Sequence, residues 1–149
     1  MSLRLWSQPL TAIRWRGAAE RAARGLARFP DARALARLQG EALIAAGEPA
    51  EAARLLRDHL LTWRGDARVW QLLSQAHDAL GQRAEAHRAA AEQYLLLGSP
   101  LAALDQLRRA QKAGDTDFFT ASMIDARIRD VEDDARRELE ESRQQGGQR

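Results

Sequence analysis

A chain of 149 residues with 30 alanines, four prolines, ten glycines and few β-branched side chains excludes a sheet-built fold. It is long enough for one domain that buries roughly two-thirds of its unfolded surface if compact. Twenty-two arginines and one lysine face 21 acidic residues, so the net charge of +2 gives no general affinity for nucleic acid. Residues 1–75 carry 12 basic and 7 acidic groups and residues 76–149 carry 11 and 14, which predicts a mild electrical dipole. The absence of cysteine excludes disulfides and thiol chemistry, and no stretch reads as a signal peptide or a membrane-spanning run.

Residues 1–7 read as a flexible or artificial start, and a single domain is expected over 8–142. Within 8–29, apolar Leu10, Ile13, Ala18, Ala22, Leu26 and Phe29 recur near the helical period, with Ser7 as cap and Pro9 in the first turn. This predicts one long helix, or two broken near Gly17, as a partial repeat. Pro30-Asp31 is expected to cap a helix from Arg33 to Ala46, and Gly47 to end it before Pro49 opens the next, to about Trp63. After a turn at Gly65-Asp66, helices are expected over 67–80 and 84–97, and a further one from Ser99-Pro100 to Ala113. Gly114 to Asp117 forms a turn and cap, and Ile124, Ile128, Val131, Ala135 and Leu139 make one stripe of an amphipathic capping helix over 117–142, leaving 143–149 as a disordered tail.

The block AAGEPAEA at Ala45 returns as ALGQRAEA at Ala79, 34 residues later, and a looser copy, LLGSPLAA, starts at Leu96 after a further 17. A 34-residue period is that of tetratricopeptide arrays, helix-turn-helix units that bury their apolar faces by stacking on one another. The expected fold is therefore all-α, a tetratricopeptide-like solenoid with repeats at 33–63 and 67–97, an overlapping third at 84–113 that shares the helix 84–97, and the terminal capping helix. Small residues at Gly40, Ser74, Ala91, Ala52, Ala86 and Ala103 fall where helices of such an array cross closely. Gln39 and Arg64 depart from the pattern, which asks for an apolar residue and a proline.

At a finer level, residues 18–131 resemble the C-terminal region of periplasmic zinc metallopeptidases of the BepA type, which assist outer-membrane assembly. The cues are Ala86-His87-Arg88-Ala89 leading to Glu92-Gln93-Tyr94-Leu95, the block Ala102 to Leu107, and Asp117-Phe118-Phe119 followed by Ile124 to Arg129. In that family an HExxH helix in a separate domain holds the zinc. The present chain has no HExxH, so the resemblance implies a non-catalytic, periplasmic module without a cofactor, which holds substrates or outer-membrane assembly proteins near the protease. It also implies a docking surface for the protease domain, expected at Trp6 and Trp15. The competing reading is a free-standing scaffold or adaptor unrelated to proteolysis.

The expected partner-binding groove is lined by first helices, with Arg37, Glu41 and Ile44, then Arg68, Gln71, Gln75 and Asp78, then Arg88 and Glu92 facing inward. The mixture suits polar recognition of an extended or helical segment, against a solvated groove as the plain alternative. The pattern lacks the Lys and Asn pairs that clamp a C-terminal carboxylate. His59, His77 and His87 are expected as packing or surface residues rather than metal ligands. Arg14, Arg16, Arg21, Arg24 and Arg28 line one side of the first helix, where a solvated face is weighed against contact with phosphates or an acidic partner. Trp70 and Trp63 read as core; nucleic acid and membrane insertion are not expected, and association of two copies through the N-terminal edge is an open outcome.

Overall fold

The computed structural model describes residues 10–147, and all of their regular secondary structure is α-helical. Seven helices follow in chain order: α1 (Leu10–Arg28), α2 (Arg33–Ala45), α3 (Pro49–Thr62), α4 (Ala67–Ala79), α5 (Arg83–Leu96), α6 (Pro100–Lys112) and α7 (Phe118–Gly146). The expected helices 33–46 to 99–113 recur within a residue or two of these limits. Ser7, Pro9 and Trp6 lie outside the described residues. Backbone contacts group the chain into two compact units, 1–64 and 65–149, and each is taken by itself.

In the first unit α2 packs against both α1 and α3. α1 is one continuous helix through Gly17, and its buried residues are Ala12, Ala19 and Ala22. This corrects the stripe read from sequence: Leu10, Ile13 and Phe29 are 81%, 58% and 60% exposed. The reason is close approach. A Cβ at Gly25 would stand 2.7 Å from Leu35 Cδ1 and one at Gly40 would stand 2.6 Å from Leu56 Cδ2, so small residues occupy the seam. Leu56, fully buried, fills the notch above Gly40; burial of a leucine of this kind contributes about 1.5–3 kcal/mol. Asp31 does not cap α2: the N-cap is Ala32, without a side-chain cap bond, and Asp31 instead offers its carbonyl to the Arg33 N–H at 2.9 Å.

In the second unit α5 packs against α4 on one side and α6 on the other, and α6 packs against α7. Every buried residue of α5 is alanine. Ala86 and Ala89 lie on one flank, with Ala84 and Ala91 on the opposite flank, so both sides of the helix are apolar and small, as a helix covered from two directions requires. Ala84 and Ala91 join Ala103, Leu104, Leu107 and Ala110 of α6 and Ile124, Ile128, Val131 and Ala135 of α7 in one core. Across the α4–α5 seam Ser74 Oγ donates to the Ala86 carbonyl at 2.8 Å.

The ends of α2, α4 and α5 close in the same way. Gly47, Gly81 and Gly98 take φ of 79°, 72° and 74°, the left-handed region that costs glycine little. In each, the glycine N–H donates to the carbonyl three residues back and the next N–H to the carbonyl five back: Glu48 to Leu43, Gln82 to His77 and Ser99 to Tyr94, all within 2.9–3.0 Å. Pro49 and Pro100 then stand at the first turns of α3 and α6.

Two helix starts are capped from a distance. Asp115 accepts from the Arg83 and Ala84 N–H groups at 2.7 and 3.1 Å, at the start of α5, and Glu138 of α7 accepts from the Leu101 N–H at 2.7 Å, at the start of α6. A carboxylate at a helix N-terminus satisfies orphan donors and faces the positive end of the dipole. α7 is 29 residues long against 13 for α6. Its apolar stripe therefore runs out of partner at Ala135. Leu139, expected on that stripe, is 41% exposed, and the tail expected to be disordered from 143 continues as helix to Gly146; 148–149 lie outside the described residues.

Asp117 caps α7, accepting from the Thr120 N–H at 2.8 Å. The backbone hydrogen bond from Thr120 chiefly lowers its carboxyl below the ordinary 3.8, with the Thr120 side chain adding to this. A carboxyl with a depressed folded value stabilises fully above its unfolded value, and that contribution is lost as pH falls through the folded one. An NMR titration of Asp117 is expected to give a midpoint below 3.8, with the Thr120 amide shifting in step; a midpoint at or above 3.8 contradicts the cap.

Candidate protein-binding face

The nine groove residues expected from sequence fall on three helices. Arg37, Glu41 and Ile44 share one stripe of α2 in the first unit, with Glu41 exposed and the other two half-buried. Arg68, Gln71, Gln75 and Asp78 are spaced three, four and three residues apart along α4, which puts them on one face. Arg68, Gln75 and Asp78 are exposed and Gln71 is half-buried. Arg68 Nη1 donates to Gln71 Oε1 at 2.7 Å, which fixes the orientation of that amide. The opposite face of α4 holds Val69, Leu72, Leu73 and Ala76 in the core, so the polar stripe rides on a helix whose rotation is set by packing.

Arg88 and Glu92 on α5 are half-buried and internally engaged. Arg88 Nε lies 3.3 Å from Glu85 Oε2 one turn earlier. Glu92 receives two parallel hydrogen bonds from Arg127 of α7, Nε to Oε1 and Nη2 to Oε2, both 2.8 Å. The fork geometry matches guanidinium to carboxylate, and the Glu92 hydrogen bond and charge hold the Arg127 guanidinium above its ordinary range against partial burial. Glu92 thus ties α5 to α7. A double-mutant cycle with Arg127→Met and Glu92→Gln is expected to show a coupling of about 1 kcal/mol in unfolding free energy, and additivity of the two changes contradicts this tie.

His77 Nδ1 lies 2.6 Å from Gln82 Oε1 and His87 Nδ1 lies 2.8 Å from Gln106 Oε1. His77 is buried, and its bond braces the Gly81 turn whose backbone it also closes. Among the described residues no three metal-ligating side chains converge. Trp63 and Trp70, expected in the core, are half-buried; the Arg33 guanidinium stands 4.9 Å from the centroid of the Trp63 ring. Trp15 is 40% exposed.

Of the nine positions, the α4 stripe has the most exposed members, Arg68, Gln75 and Asp78. No protein-family model and no curated protein matches the chain. The sequence reading missed Arg127, Asp115 and Glu138. Their roles depend on partners 35, 32 or 31, and 37 residues away, and no local pattern marks such pairs.

Proposed function

We propose that the chain is a non-catalytic protein-interaction module of tetratricopeptide-type repeats. It serves a periplasmic zinc metallopeptidase by holding unfolded outer-membrane polypeptides or their assembly factors. The observation that carries this reading is the registered set of three glycine closures at Gly47, Gly81 and Gly98, spaced 34 and 17 residues apart. Each has a small residue seven positions before it (Gly40, Ser74, Ala91) and a buried alanine five positions after it (Ala52, Ala86, Ala103). Such a register supports an array of stacked helical pairs, in which first helices present a polar face to an extended ligand. The order of short cues that resemble the metallopeptidase family supports the proposed periplasmic setting, and the exposed edge at Trp15 is the proposed contact for the protease domain.

Gln71 and Gln75 give the face its chemistry. An amide side chain both donates and accepts, and can therefore pair with the backbone of an extended segment whatever its side chains are. Anisotropy of a labelled unfolded outer-membrane β-barrel polypeptide, titrated with the chain, is expected to show saturable binding. Gln71→Ala with Gln75→Ala is expected to weaken it by on the order of tenfold, two hydrogen bonds' worth, without changing the melting temperature. Absence of saturable binding, or binding indifferent to this pair, overturns the proposal.

A further inference from the structure

The outward face of α1 has a composition that the repeat register does not explain. Arg14, Arg21, Arg24 and Arg28 are all exposed and follow at spacings of seven, three and four, so they lie along one side of the helix. At 1.5 Å per residue this stripe extends about 20 Å. Arg16 is paired with Glu48 at 2.7 Å, whereas none of these four reaches a carboxylate among the described residues. On the same outward side stand Leu10, Ile13 and, just past the helix end, Phe29, each more than half exposed. The Arg28 guanidinium rests 5.8 Å from the centroid of the Phe29 ring. The alanine face Ala12, Ala19 and Ala22, turned toward α2, fixes which side looks outward.

We propose that this face docks the chain on an anionic phospholipid surface. Two features point to a bilayer. Guanidinium groups repeated along a straight line meet a planar array of phosphates wherever they land. Aliphatic and aromatic tips beside them find an apolar receptor in the acyl boundary just below. A nucleic-acid strand would supply the phosphates and no place for Leu10 and Ile13, and among the described residues the face offers one aromatic ring, Phe29, on which a base could stack. The contact is peripheral: no helix among the described residues is long and apolar enough to cross a membrane. The surface belongs to α1 alone, so it stands or falls independently of what the α4 stripe binds.

Vesicle co-sedimentation of the whole chain tests this, with phosphatidylglycerol–phosphatidylcholine vesicles against phosphatidylcholine vesicles. The expected result is binding to the anionic vesicles only, weakening as salt rises. Arg21→Gln, Arg24→Gln and Arg28→Gln together are expected to lower the partition coefficient on the order of a hundredfold, since each basic group near such a surface contributes about one factor of five. Arg129→Gln, Arg136→Gln and Arg137→Gln, three exposed arginines of α7, remove the same charge elsewhere and should change it by less than about threefold. Ile13→Asp should reduce binding with the arginines intact. All these positions are solvent-exposed, Arg136 and Arg137 pairing with Asp133 and Asp134 of their own helix, and circular dichroism verifies the fold of each variant. Equal loss in the two arginine triples, indifference to Ile13→Asp, or binding of a single-stranded oligonucleotide in place of the vesicles overturns the proposal.

Discussion

Leu107→Ala is expected to cost about 2–5 kcal/mol of unfolding free energy and to lower the melting temperature of the second unit by roughly 10 °C or more. Leu107 is fully buried in α6, in the core it shares with Ala91 of α5 and with Ile124 and Ile128 of α7. The buried residues of α5 in that core, Ala84 and Ala91, are alanines and have no further length with which to fill a void, while Tyr94 and Leu95 at its edge are only partly buried. Leu107→Met keeps the volume and should cost less than about 1.5 kcal/mol. Leu61→Ala, at a side chain 74% exposed, should stay within about 0.5 kcal/mol. Thermal and urea unfolding of the three variants check the ranking, and a Leu107→Ala protein as stable as Leu61→Ala contradicts the assigned core.

The second large effect is overpacking at Gly40. A Cβ there would stand 2.6 Å from Leu56 Cδ2 and 3.1 Å from its Cγ, and Leu56 is fully buried, so it has no solvent to swing into. Gly40→Val is expected to cost about 1–3 kcal/mol, although any residue other than proline improves on glycine's helix propensity. Gly40→Ala should fall below that, because the same contact is partly offset by about 1 kcal/mol of helix propensity. The cause is the contact itself, so shortening Leu56 to alanine should make the Gly40→Val change less damaging than it is alone. Strict additivity of the two substitutions in urea unfolding would contradict the crossing.

The helices were legible because glycine and proline punctuate them. Gly47, Gly81 and Gly98 occupy backbone angles that suit glycine, and Pro49 and Pro100 sit where a missing N–H is harmless. The small residues at the seams were legible for a related reason: Gly40, Ser74 and Ala91 recur in register. The face of α1 was not. Its bulky residues outweigh alanine in any apolar pattern, yet a close crossing selects for size rather than hydrophobicity, and Leu10 and Ile13 face out while Ala19 and Ala22 face in. The end of α7 misled for the opposite reason, since its last turns have no apolar stripe and continue as helix without one.

The candidate face was legible as a set of positions and illegible as a set of available groups. Period alone puts Arg88 and Glu92 on the same phase as the α4 stripe. Arg127, one helix beyond α6, takes Glu92 out of that set through two hydrogen bonds that only the folded chain brings together. The remote caps Asp115 and Glu138 escaped for the same reason: Asp115 reads locally as part of the turn before α7, and it serves α5.

Amide hydrogen exchange of the chain with and without an unfolded outer-membrane β-barrel polypeptide tests the central proposal most directly. The expected result is added protection concentrated in α4 around Gln71 to Asp78, and none in α6. Unchanged exchange throughout, or protection confined to α6 and α7, would contradict it.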